Sequence, residues 1–300
     1  MSENTEKLVG VEISTKYLRA VCLNSTGQMT DSDESPLNRE GDVIAQIIEF
    51  INQLKDKFGN FKKAGVAVSG LVDRRKNRVV LSTQVPTDVD LANEIKSATG
   101  VAVFLENDAN SGGYGEYVQG AGRGNRDMFY VLLGEGVGGA IIFDGKLWRG
   151  NAGFAGEFGH LAINSEGRKI EEIASNQGIL ERTRNRFHQD NTSSLYSLGE
   201  EKITVTDIVR EAKNGDDFAQ MMLERTGMFL GKAVASVINL LNIEKIVVGG
   251  EIMETGEIVL KGLNESAKEF AFSQSFESTQ IVAGELHDKA VAIGVALLSE

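Results

Sequence analysis

Three short stretches hold the residue types that could do chemistry. Glu106-Asn107-Asp108-Ala109-Asn110 directly follows the apolar run Val101 to Leu105, so carboxylates and amides stand where a buried strand ends. Gly134-Glu135-Gly136 joins the runs Met128 to Leu133 and Val137 to Phe143, and with Gly138-Gly139 it lets backbone approach a ligand closely. Ala155-Gly156-Glu157-Phe158-Gly159-His160 adds a carboxylate and, three residues on, an imidazole. Asp, Asn, Glu and His beside a glycine hairpin suit a polyhydroxylated ligand, with one carboxylate available as a base. Each has a plainer alternative. An Asp after a strand is often a helix cap or turn residue, His160 could be a satisfied core side chain, and Glu157 could pair with a surface Lys or Arg.

The elements that must position these residues alternate between strand and helix. Leu8 to Ile13 and Tyr17 to Leu23 read as a hairpin, and Val43, Ile44, Ile47, Ile48, Ile51 and Leu54 lie at helical spacing. Ala64 to Val68 reads as a strand running into a turn, Ser69-Gly70-Leu71-Val72-Asp73, whose glycine can turn backbone amides toward a ligand. Leu91 to Ala98 reads as a helix before the strand at Val101. Gly112 to Gly124 is rich in glycine with little apolar periodicity, and there the spacing predicts a hinge into a second, mostly helical half. In that half Thr206 is the expected cap of a helix over Asp207 to Lys213, and a longer helix runs from Asp216 to Leu241. The strand Lys245 to Val248 ends in Gly249-Gly250, the usual ligand position in open α/β sheets, and a last helix is expected over about 288–299. No internal repeat is visible in the sequence.

Composition narrows the function. A chain of 300 residues exceeds what one core usually holds, so two domains with a cleft between them are expected. With 41% hydrophobic and 25% charged residues it reads as an ordinary globular protein. A net charge of -12 without any basic run argues against nucleic acid or anionic lipid as a partner. The single cysteine, Cys22, rules out an internal disulfide and a multi-thiolate metal site, which fits a reducing cytoplasm. No segment approaches the roughly 18 apolar residues of a membrane span.

Taken in order, Gly65 to Asp73 (GVAVSGLVD), Glu106 to Asn110 (ENDAN), Gly134 to Ile142 (GEGVGGAII), Gly145 to Gly150 (GKLWRG) and Ala155 to His160 (AGEFGH) resemble the ROK family. That family comprises bacterial sugar kinases and sugar-responsive repressors. The resemblance implies an α/β fold of two actin-like (ribonuclease H-like) domains with an interdomain cleft, here expected as 1–118 and 119–287 with the C-terminal helix, about 288–300, returning to the first. It implies Asp108 as the general base that takes a proton from a sugar hydroxyl attacking the γ-phosphate of Mg-ATP. It implies Asn107, Glu157, His160, Glu181 and Gly70 around the sugar, a hexose or N-acetylhexosamine. Thr15, Lys16, Gly134, Gly136, Gly249 and Gly250 would face the nucleotide, and a homodimer is expected.

The chain departs from the family on the nucleotide side. The kinases' Asp-x-Gly-Gly-Thr loop is matched without a gap by Glu12-Ile13-Ser14-Thr15-Lys16, which lacks both glycines; a gapped match keeps Thr15 as the threonine. Glu135 stands where the kinases carry Thr, and a carboxylate there repels a triphosphate unless Mg²⁺ bridges them or the side chain turns outward. Gly249-Gly250-Glu251 lacks a third glycine. Many relatives bind zinc through the motif His and three cysteines, but Glu172, Ala174 and Ile179 stand near those cysteine positions, so no zinc is expected. Selectivity among sugars would lie in Gln84 and the segment 164–177. Two functions stay open, an ATP-dependent sugar kinase and a sugar-binding sensor without turnover. A DNA-binding repressor is disfavoured, because the first strand begins by Leu8 and leaves no room for a helix-turn-helix.

Overall fold

Apolar runs separated by turn residues pair into two five-stranded sheets in a computed structural model that describes residues 7–300. β1 (Leu8–Ile13), β2 (Tyr17–Leu23) and β3 (Met29–Pro36) form an antiparallel meander. α1 (Val43–Phe58) then leads to β4 (Lys63–Val68), a small hairpin of β5 (Leu71–Asp73) and β6 (Arg78–Leu81), α2 (Leu91–Thr99) and β7 (Ala102–Asn107). β4 and β7 join β1 in parallel, giving the order β3-β2-β1-β4-β7.

α3 (Asp108–Gln119) connects to the second sheet, which starts with the meander β8 (Met128–Leu133), β9 (Val137–Phe143) and β10 (Lys146–Leu147). After α4 (Glu171–Ala174), α5 (Asn176–Arg184), α6 (Val205–Lys213) and α7 (Asp217–Leu241) come β11 (Lys245–Gly249), α8 (Gly256–Phe270), α9 (Ser273–Glu277), β12 (Gln280–Ala283) and α10 (Ala290–Leu298). β11 and β12 add in parallel to β8, so the order is β10-β9-β8-β11-β12. Both sheets therefore follow one plan, three antiparallel strands and then two parallel ones, although the residues show no repeat. This is the two-domain α/β arrangement of the actin-like class.

Each sheet has its own core. α1 is capped by Asp42, which accepts from the Ala45 amide, and it lays Ile47, Phe50, Ile51, Leu54 and Phe58 on the first sheet. Burying each such side chain is worth about 1.5–3 kcal/mol. The second core gathers Phe129, Val131, Ile246 and Val248 with Leu223, Leu230 and Val234 of α7 and Val259 and Leu263 of α8. No helix among the described residues is long and apolar enough to cross a membrane.

Four expectations need correction. The expected hinge at Gly112 to Gly124 is largely α3, whose Gly112, Gly113 and Gly115 are buried. Those glycines serve close packing: a Cβ on Gly113 would lie 2.7 Å from the Ala140 side chain, and one on Gly115 would lie 2.5 Å from the Ala290 carbonyl. The residues Leu71, Val72 and Asp73 are a strand, and Gly70 brings backbone to Leu81 of β6, whose carbonyl lies 2.1 Å from where its Cβ would be. The cap of α6 is Thr204, in a reciprocal box with Asp207, so the helix begins one residue before Thr206. The last helix begins at Ala290, after a 3-10 turn over His287–Lys289.

α10 is apolar all round and buried from Ala290 to Ala296, because it is wedged between β1, β4 and α3. A Cβ on Gly294 would sit 1.7 Å from the Ser111 carbonyl oxygen of α3. Gly294→Ala is expected to destabilise the protein by about 1–3 kcal/mol through overpacking. Urea denaturation checks this, and an unchanged midpoint would contradict the contact.

Candidate functional site

The site grows from the junction of β7 and α3. Asn107 ends the strand and caps the helix: its Oδ1 accepts from the Asn110 amide at 2.9 Å. Its Nδ2 donates to the Gly70 carbonyl and to Asp108 Oδ1, both at 3.0 Å. Asp108 Oδ1 also accepts from the Ala109 amide at 2.8 Å. Burial pushes the Asp108 carboxyl up to about 6 against the opposing pull of the Ala109 amide and the Ser69 hydroxyl, and the charge of Glu157 adds to the rise. The plainer alternative for an Asp after a strand therefore goes to its neighbour, since Asn107 is the cap.

The second sheet delivers Glu157 by close backbone approach. A Cβ on Gly138 would lie 2.6 Å from the Ala109 side chain, and one on Gly156 would lie 2.3 Å from the Gly139 carbonyl. β9 is thus held between the start of α3 and the segment Ala155 to His160. Burial raises the Glu157 carboxyl, His160 lowers it, and Glu171 raises it further. His160 closes a 3-10 turn after Glu157, and its Nδ1 lies 3.1 Å from Lys169 Nζ. Glu181 is not joined to this group by a hydrogen bond; it is exposed on α5 and accepts from Gln177 of the same helix at 2.7 Å. Gln84 is buried, and its Oε1 lies 3.3 Å from the Ser69 amide that donates to it, beside Gly70. Of the positions near the family's zinc cysteines, Ala174 and Ile179 are core residues.

The residues expected at the nucleotide form a second group around Lys16. Its Nζ lies 2.9 Å from Glu135 Oε1, an ion pair that joins the β1–β2 turn to the β8–β9 turn. The hydrogen bond to Glu135 holds the Lys16 ammonium above its ordinary range, and the charge of Glu251 adds to this. Asn176 Nδ2 donates to Glu251 and, at 3.4 Å, to Glu135. Ser14 Oγ is turned into its own loop, where it accepts from the amides of Lys16 and Tyr17. Thr15 lies in the same turn, between Ser14 and Lys16. Gly134 has open space beside it, Gly249 packs on the Tyr130 ring, and Gly250 is at φ +107° with its Cβ position 1.8 Å from the Leu133 carbonyl oxygen. Behind them Glu12 is a buried carboxyl pushed up to about 8, with Arg19 opposing the rise and the Asp108 charge adding to it.

An open glycine turn with a cation at its rim fits a polyphosphate, while Glu135 and Glu251 oppose it. No group of three or more His, Cys, Asp or Glu among the described residues gathers as a metal site. Sequence assigned no role to Glu106, Arg149 or Glu171. Glu171 Oε2 accepts from the Val137 amide at 3.0 Å. Glu106 and Arg149 pair at 2.6 Å. Both lie inside the motifs ENDAN and GKLWRG, which was the available signal.

The chain matches the ROK family over residues 8–300. It is 30% identical to a glucokinase of Thermotoga maritima, covering 97% of this chain and 96% of that one. It is 27% identical to a xylose repressor of Bacillus subtilis, covering 96% of this chain and 75% of the repressor. Its fold is similar to that of a ROK family glucokinase from Streptomyces griseus crystallised with glucose and AMPPNP, at a TM-score of 0.88 and 25% identity over 98% of this chain and 99% of that one. Two actin-like sheets, the motifs that carry the Asn107–Asp108 and Glu157–His160 groups, and a match along nearly the whole length place this chain in the ROK family.

Proposed function

We propose that this protein binds a hexose or N-acetylhexosamine in the cleft and phosphorylates one of its hydroxyls with ATP. The observation that carries the proposal is the state of Asp108, a carboxylate held at the start of α3 and pushed up to about 6. Such a group is ionised at neutral pH yet basic enough to take a hydroxyl proton. Asn107, Glu157, His160 and the Gly70 carbonyl supply the donors and acceptors that a ring of hydroxyls needs. Glu181, exposed and bonded to Gln177, is left out of this set. Lys16, Thr15 and the backbone of Gly134, Gly136, Gly249 and Gly250 would hold the nucleotide. ATP supplies the phosphoryl group, and Mg²⁺ neutralises charge on its phosphates.

One observation favours a second reading, a sugar sensor without turnover. The Lys16–Glu135 ion pair occupies the cation at the turn where phosphate would lie, and the chain's relatives include xylose repressors. Incubating purified protein with Mg-ATP and a sugar panel separates the two. The kinase gives a phosphorylated sugar, and Asp108→Asn slows it by at least about 10²-fold. No product above the Asp108→Asn level, with sugar binding intact by calorimetry, hands the assignment to the sensor.

The raised Asp108 also has a sign in stability. Its folded value, about 6, lies above its ordinary 3.8, so the folded chain holds the proton more tightly and stability falls as pH rises through this window. Asp108→Asn removes the ionisation. The variant is expected to be about 1–3 kcal/mol more stable than the wild type at pH 7.5 and nearly equal to it at pH 4. Urea titrations at both pH values check this, and equal stability at pH 7.5 would contradict the burial of the charge.

A further inference from the structure

Glu106 is 1% exposed, and both its oxygens are taken. Oε1 accepts from the Asn107 amide at 3.1 Å and from Asn110 Nδ2 at 3.2 Å, so it braces the first turn of α3. Oε2 accepts from Arg149 Nε at 2.9 Å and Nη2 at 2.6 Å, with Arg74 Nε 3.6 Å away. Arg74 is itself fixed, since it lies over the Phe104 ring and donates to the Leu105 carbonyl at 2.7 Å. Arg149 belongs to the other half of the molecule, just beyond β10. Its carbonyl accepts from the Ala155 amide at 3.1 Å. One arginine thus grips, by its side chain, the carboxylate two residues before Asp108 and, by its backbone, the residue two before Glu157.

We propose that Glu106 and Arg149 are positioning residues for the sugar site, a link across the cleft that sets the separation of Asp108 and Glu157. A guanidinium fork on a desolvated carboxylate is directional, and Lys, a point charge on a flexible stem, cannot reproduce it. Neither side chain needs to touch the sugar. The proposal rests on the carbohydrate reading of Asp108 and Glu157 and adds what holds them in register.

The test is calorimetric titration of wild type, Arg149→Lys, Arg149→Met and Glu106→Gln with a sugar that the wild type binds, alongside urea denaturation of each. Arg149→Lys is expected to keep most of the wild-type urea midpoint and to lose at least about tenfold in sugar affinity, with Arg149→Met losing more. A purely structural contact would move the urea midpoint and leave the affinity of the folded protein unchanged, and that result overturns the proposal. If Glu106→Gln does not fold, the two Arg149 variants carry the test, since Arg149 is partly exposed. Wild type that binds no sugar refutes the carbohydrate reading itself, whereas a wild type that binds and variants that bind equally well refute only the link.

Discussion

A carboxylate with 1% of its surface exposed has lost its hydration, and only full pairing makes such burial tolerable. Glu106 meets that demand by drawing in Arg149 and Arg74 and by accepting from Asn107 and Asn110. The requirement reaches outward in both directions. On one side it fixes the first turn of α3, where Asn107 caps and Asp108 begins the helix; on the other it fixes the loop that leads to Glu157. β9 completes the arrangement, because Gly138 and Gly139 let its backbone lie against Ala109 and Gly156 without the Cβ atoms that would hold them apart. The Asp108–Glu157 side of the proposed site is therefore assembled by ground-state contacts of the protein itself.

The other half of the cleft is organised by a different balance. Lys16 stands at the rim with Glu135 at 2.9 Å and the Glu251 charge nearby, and the side-chain amide of Asn176 ties those two carboxylates together. Both members of the ion pair are substantially exposed, with side chains 66% and 43% accessible, so water and salt weaken it. A polyphosphate reaching Lys16 has to displace a weak contact and then lie beside two carboxylates. The turn at Gly134 is open in shape and unfavourable in charge, the balance on which turnover in this member of the ROK family depends.

Much of the fold was legible in the residues. The runs Met128 to Leu133 and Val137 to Phe143 pair as read, the helix that begins at Val43 buries the expected face, and Asp108 stands where a strand gives way to a helix. What escaped depended on contacts distant in sequence. Of the glycines that look like a hinge between Gly112 and Gly124, Gly112 and Gly113 pack on Tyr130 and Ala140 of the second sheet and Gly115 packs on α10, which lies far along the chain. The shared plan of the two sheets is a matter of strand order and leaves no trace in side chains. β12 has no buried residue and no clean alternation, so its strand character comes from pairing with β11. Glu106 and Arg149 were visible as residues inside two motifs, but nothing in a linear sequence says that they meet.

The central claim is that Asp108 and Glu157 face one carbohydrate from opposite sides of the cleft. The most direct test is a crystal structure of the protein with a bound hexose. The expected result is a sugar hydroxyl within about 3.2 Å of an Asp108 carboxylate oxygen and another held by Glu157. A sugar lodged elsewhere, or one that leaves Asp108 without a hydroxyl partner, would contradict it.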